Sequence, residues 1–115
     1  MVSREALLNS HCRPLEGHAA MTPAQVQAQL AALPDWTHDS GTIAREFRFA
    51  DYFETIAFVN ALAYVVHRED HHPDLHVGYN RCTVRFNTHS VSGISLNDFV
   101  CAAKADAIYE QRSRA

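Results

Sequence analysis

Leu75-His76-Val77-Gly78-Tyr79-Asn80-Arg81-Cys82-Thr83-Val84-Arg85-Phe86 carries the plainest period in the chain. Leu75, Val77 and Tyr79 alternate with small or polar neighbours, and Cys82, Val84 and Phe86 alternate against Arg81, Thr83 and Arg85. A period of two places successive side chains on opposite faces of a strand. With Asn80-Arg81 as a tight connection, the stretch predicts a β-hairpin with one apolar face.

Upstream, Pro73 closes off a helix expected from Asp51 to about Arg68, opened by the capping pattern of Asp51 with Glu54. Between Ile56 and Val66 only Asn60 is polar. A helix that is apolar nearly all round has two faces to bury. One can pack on a sheet, and the other predicts a subunit interface, in a homodimer or a homotetramer. Earlier still, Ile43, Phe47 and Phe49 share one face of a strand and Glu46 and Arg48 the other, with Arg45 interrupting the apolar side. Asp39-Ser40-Gly41 reads as the turn of a first hairpin, and Trp36 anchors the short strand before it. A first helix begins at the capping box of Thr22 and Gln25, with Pro23 at its first position, an apolar stripe of Val26, Leu30 and Leu33, and Pro34 to stop it. Downstream, Ser92-Gly93 turns the chain and Ser95 caps a last helix, with Leu96, Phe99, Val100, Ala103 and Ala107 facing inward. The order α-β-β-α-β-β-α predicts an α+β fold, a four-stranded antiparallel sheet with helices packed on one face. Residues 1–20 show no sustained period and are expected to be a loose extension before a single domain over 21–115.

The 115 residues, 47% apolar and 20% charged, suit one globular domain. A net charge of −3 with no basic stripe argues against nucleic acid as a partner. Cys12, Cys82 and Cys101 form no CxxC pair, which fits a reducing compartment, and Cys82 and Cys101 fall on inward positions. No apolar run approaches the roughly 20 residues that span a bilayer, and no signal-peptide pattern opens the chain. A cytoplasmic location is expected.

Eight histidines in so short a chain is the unusual figure. His67, His71 and His72 lie where the long helix gives way to the hairpin, His89 lies just past the hairpin, and Asp98 sits in the first turn of the last helix. A hairpin of this length can bring its outer ends together, so His71-His72 and His89 are expected to face each other. Imidazoles titrate near neutrality and can give or take a proton there. Three of them with an aromatic and a carboxylate suit acid–base work on a planar, nitrogen-rich substrate.

His67, His71-His72-Pro73, Tyr79, His89 and Asp98, with the spacings between them, resemble the pattern of the pterin-4a-carbinolamine dehydratase family, over roughly residues 22–112. His72-Pro73-Asp74-Leu75, Val77-Gly78-Tyr79-Asn80 and Thr88-His89 ahead of Gly93 add to the likeness. Many relatives carry Glu where this chain has His67. The resemblance implies dehydration of a 4a-hydroxytetrahydropterin to the quinonoid dihydropterin, as part of tetrahydrobiopterin recycling beside an aromatic amino-acid hydroxylase. It implies no metal, nucleotide or covalent intermediate. His71 and His89 are then the acid–base candidates and His72 the residue that orients the pterin. Tyr79 would touch substrate, Asp98 would hold a histidine tautomer, and His67 and Asp70 would lie behind.

Plainer readings stand beside these. His71-His72-Pro73 can be simply a helix terminus, Ser95-Leu96-Asn97-Asp98 simply a capping box, and Tyr79 a sheet residue. His67 and His71, four apart, could share a helical face as metal ligands. However, HREDH lacks the Glu directly after its first His that zinc peptidases use. A third possibility is a non-enzymatic dimerisation module, since animal members of the resembled family also serve a homeodomain transcription factor in that way.

Overall fold

A computed structural model describes residues 1–112, so the last three residues of the expected domain lie outside the described residues. The chain runs α1 (Arg4–Leu8), α2 (Pro23–Leu30), β1 (Thr37–Asp39), β2 (Thr42–Arg48), α3 (Tyr52–Glu69), β3 (Asp74–Val77), β4 (Arg81–Phe86), a 3-10 turn His89–Val91 and α4 (Leu96–Gln111). The four strands form one antiparallel sheet in the order β1-β2-β4-β3.

Local chemistry sets the element ends. Thr22 and Gln25 form the reciprocal capping box that starts α2. Asp51 caps α3 by accepting from the Glu54 amide at 2.8 Å. Ser40 and Gly41, both at positive φ, make the two-residue link between β1 and β2, as the twist of a tight hairpin requires. Asp70 ends α3 in the left-handed conformation, φ 53° and ψ 42°, which turns His71 away from the helix axis.

Ile43 and Phe47 of β2 and Cys82, Val84 and Phe86 of β4 face the helices and are fully buried beneath Phe58 and Leu62 of α3 and Phe99 of α4. Burial pushes the Cys82 thiol up to about 11, in keeping with an inert core sulfur. Arg45, the residue that breaks the apolar pattern, belongs to this face. Its guanidinium lies 4.4 Å from the Phe47 ring centre and donates to Asp106 Oδ1 at 2.6 Å, while Trp36 Nε1 donates to the same oxygen at 2.9 Å. Burial pushes the Asp106 carboxyl up, and these donors only partly offset it.

Three expectations are corrected. First, residues 1–13 of the expected loose extension are docked. Ser3 caps α1, Leu7 is fully buried, and the Asn97 side chain holds both the amide and the carbonyl of Arg13, at 3.0 and 2.8 Å. Glu69 accepts from the Cys12 amide at 2.7 Å and meets His11 Nδ1 at 2.8 Å. A five-residue helix is too short for a period to show, and its seat is made by residues far along the chain. Secondly, Leu96 of α4 is 41% exposed, whereas Asn97, Asp98, Ala102 and Asp106 are buried with Phe99 and Val100. This helix is surrounded because α1 covers a side that the sequence assigned to solvent. Thirdly, β3 ends at Val77, and Tyr79 lies in the link to β4, where Gly78 N donates to Arg81 O at 2.8 Å.

Candidate active site

The site lies where α3, the two outer ends of the β3–β4 hairpin and the start of α4 converge. His71 follows the left-handed Asp70, so its ring folds back onto the sheet and stacks on Phe86 with the planes 9° apart and the centres 5.9 Å apart. The imidazole is 12% exposed and its Nε2 is 2.6 Å from Asp98 Oδ1. Asp98 has no exposed surface, a costly place for a carboxylate unless every lone pair is used. Its second oxygen, Oδ2, accepts from the Ser95 amide and from Thr88 Oγ1, each at 2.9 Å. Asp98 therefore does both things the sequence left open: it completes the capping box of α4 and it holds His71.

As a carboxylate Asp98 can only accept, so His71 Nε2 donates to it and Nδ1 is the ring nitrogen left for a substrate. Nδ1 has no hydrogen-bond partner among the described residues. In front of His71 opens a cleft of about 600 Å³ bordered by Asp70, His71, His72, Asp74, Asn87, Thr88, His89 and Ser90. That size suits a small planar ligand. His89 begins the 3-10 turn and is exposed at the cleft, which His72 and Asp74 border from the segment leading into β3.

The predicted residues thus separate into groups. His71, His72 and His89 border one cleft, with Asp98 behind His71. His67 does not border it. It lines an adjoining, smaller apolar groove of about 310 Å³ with Leu62, Val66, His71, His72, Pro73 and Leu75. Asp70 borders both. Tyr79 joins neither group. It is 66% exposed at the far end of the hairpin, stacks on Tyr52 of the first turn of α3, and its carbonyl accepts from Thr55 Oγ1 at 3.0 Å. The 18 residues of α3 separate that end of the sheet from the histidines, roughly 27 Å of helix. The expected contact of Tyr79 with substrate is therefore corrected for a single subunit. The family resemblance placed Tyr79 in the constellation, but strand direction carries it away in this subunit. The residues that sequence reasoning left without a role are Thr88 and Phe86. The signal for Thr88 was its place directly before His89 and seven residues ahead of Ser95.

No three His, Cys, Asp or Glu side chains among the described residues converge as ligands for a metal ion. Among the described residues no helix is long and apolar enough to cross a membrane.

Comparison with known proteins places this geometry. The sequence profile of the family described as pterin 4 alpha carbinolamine dehydratase matches residues 19–108. A Bdellovibrio bacteriovorus protein named as a pterin-4-alpha-carbinolamine dehydratase is 51% identical over 112 residues, covering 94% of this chain and 92% of its own. A Xanthomonas campestris protein of the same name is 51% identical over 108 residues, covering 91% of this chain and 92% of its own. The crystal structure of a transcriptional coactivator/pterin dehydratase from Brucella melitensis superposes with a TM-score of 0.74 at 32% identity, over 77% of this chain and 97% of that one. Profile, relatives and sheet topology agree, and the chain belongs to the pterin-4a-carbinolamine dehydratase family, whose members are hydro-lyases.

Proposed function

We propose that the chain removes water from a 4a-hydroxytetrahydropterin to give the quinonoid dihydropterin, with histidines as the proton carriers. The observation that carries this reading is the buried Asp98 bound to His71 at 2.6 Å, behind a cleft whose other walls present His72 and His89. In the reaction the C4a–O bond breaks and the hydroxyl takes a proton and leaves as water. The N5–H bond supplies the electrons of the new C4a=N5 double bond, and its proton passes to a base. One acid and one base on opposite sides of the ring meet that requirement. His71 and His89 fill these roles, His72 orients the pterin, and Asp98 holds His71 in one tautomer.

The cycle needs no metal, nucleotide or covalent intermediate. An aromatic amino-acid hydroxylase would supply the substrate, in tetrahydrobiopterin recycling in the cytoplasm. The working form is a dimer or tetramer, because α3 leaves an apolar face uncovered. The test is the loss of carbinolamine absorbance with purified protein, corrected for the spontaneous reaction. Acceleration that disappears in the His71→Ala/His89→Ala double variant is the expected result. A double variant as active as the wild type would overturn the assignment.

A further inference from the structure

We infer that Thr88 is a positioning residue, which fixes the charge and orientation of Asp98 and through it decides how firmly His71 holds a proton. The inference deepens the dehydratase reading above and rests on it for its kinetic part only.

Thr88 Oγ1 lies 2.6 Å from Ser95 Oγ and 2.9 Å from Asp98 Oδ2, and it has one hydrogen to give. Ser95 Oγ faces the N-terminus of α4, where it accepts from the Asn97 amide at 3.2 Å and from the amide of Asp98 in the capping box. With its lone pairs turned to those donors, Ser95 gives its own hydrogen to Thr88. Thr88 in turn gives its hydrogen to Asp98. The order Ser95 to Thr88 to Asp98 is the one that leaves every group in this buried cluster satisfied.

Two consequences follow for His71. With the Ser95 amide and Thr88 on Oδ2, the carboxylate cannot rotate without losing both, so Oδ1 stays aimed at Nε2. The two donors also draw negative charge away from the oxygen that faces the imidazole. The backbone of Thr88 is held independently, by paired bonds with Gly93 of 2.7 and 3.4 Å, and leads straight into His89. Its hydroxyl can therefore be removed with the two ends of the cleft still joined.

The experiment is an NMR titration of the histidine rings in wild type, Thr88→Val and Thr88→Ser, with turnover and KM measured on the same proteins. In wild type, the ¹⁵N signals of His71 show the tautomer protonated on Nε2. In Thr88→Val the carboxylate regains negative charge, so the midpoint of the His71 titration moves to higher pH. Turnover falls about tenfold or more with little change in KM. Thr88→Ser, which keeps the donor, restores both. Asp70, His72, Asp74 and His89 around the cleft and His67 beyond it are common to all three proteins, so the difference isolates the hydroxyl. An Nδ1-protonated His71 in wild type would mean that Asp98 donates to it, which would overturn the carboxylate charge assigned to the cluster without recourse to any variant. A folded Thr88→Val with an unmoved His71 midpoint would reduce Thr88 to a packing residue. Neither readout needs turnover, so a protein without dehydratase activity would defeat the functional reading while leaving Thr88 separately tested.

Discussion

His71 and His89 reach the cleft from different elements, so their substitutions report on separate steps. His71→Ala and His89→Ala should each lower turnover by about 10²–10⁴, the usual contribution of a positioned acid or base, with affinity for dihydropterin little changed. His72→Ala should mainly weaken binding, and His76→Ala, exposed on β3, should behave as wild type. Steady-state kinetics on the four purified variants checks all of these. If His71 and His89 act from opposite sides, each loss will be larger for one 4a-hydroxy stereoisomer. Asp98→Asn presents an amide to His71 Nε2 and so favours the wrong tautomer. Turnover should fall by a factor on the order of 10²–10⁴, whereas Ser95→Ala should cost mostly stability, about 0.5–2 kcal/mol. The histidines and Asp98 were legible in the sequence because their types are distinctive and their spacings short. Arg45 was legible only as an anomaly, since the partner that satisfies it, Asp106, lies 61 residues away. Tyr79 was misplaced because a motif shared with a family fixes its position along the chain but not the direction in which a strand carries it within one subunit.

At the scale of elements, α3 shows what an apolar run can and cannot tell. Its composition announces two buried faces but does not say which residues belong to which. Phe58 and Leu62 point into the core, while Phe53 at 82% exposed and Tyr64 at 65% exposed, with Ala57 and Ala61 between them, make the outer face. Phe58→Asp therefore tests folding and not association. Ala61→Glu should leave the fold intact and lower the mass seen by light scattering, because a charge in a packed interface is costly. A wild-type protein that is monomeric at micromolar concentration would contradict the interface. The end of α3 carries a second prediction. Burial alone would raise the Glu69 carboxyl, but the Cys12 amide, His11 and Lys104 outweigh it and hold it below its usual value. A carboxyl lowered on folding stabilises the folded form above its ordinary range, and that contribution is lost as the pH falls through the lowered value. Acidification should thus loosen the N-terminal segment first, seen as faster hydrogen exchange at the Cys12 amide, and Glu69→Gln should remove this pH dependence.

For the molecule as a whole, the sheet, its order of elements and the three longer helices were readable because each repeats its own period over several residues. The first thirteen residues were not, because what orders them is tertiary: Leu7 in the core, Gln29 on both the amide and carbonyl of Val2, and Asn97 on both those of Arg13. Deleting residues 1–20 should lower the melting temperature, since burial of Leu7 alone contributes roughly 1.5–3 kcal/mol. The segment's attachments also have a consequence in time. Arg4 meets Glu110 across 106 residues, Lys104 donates to the Leu8 carbonyl across 96, and Asn97 grips Arg13 across 84. Contacts that close such long loops are the slowest to form. During synthesis the segment leaves the ribosome well before α4 exists to receive it, so it must wait undocked, with Leu7 in water. In refolding, the amides of Cys12 and Arg13 should gain protection after those of the β2–β4 ladder, making this short stretch the last part of the molecule to set.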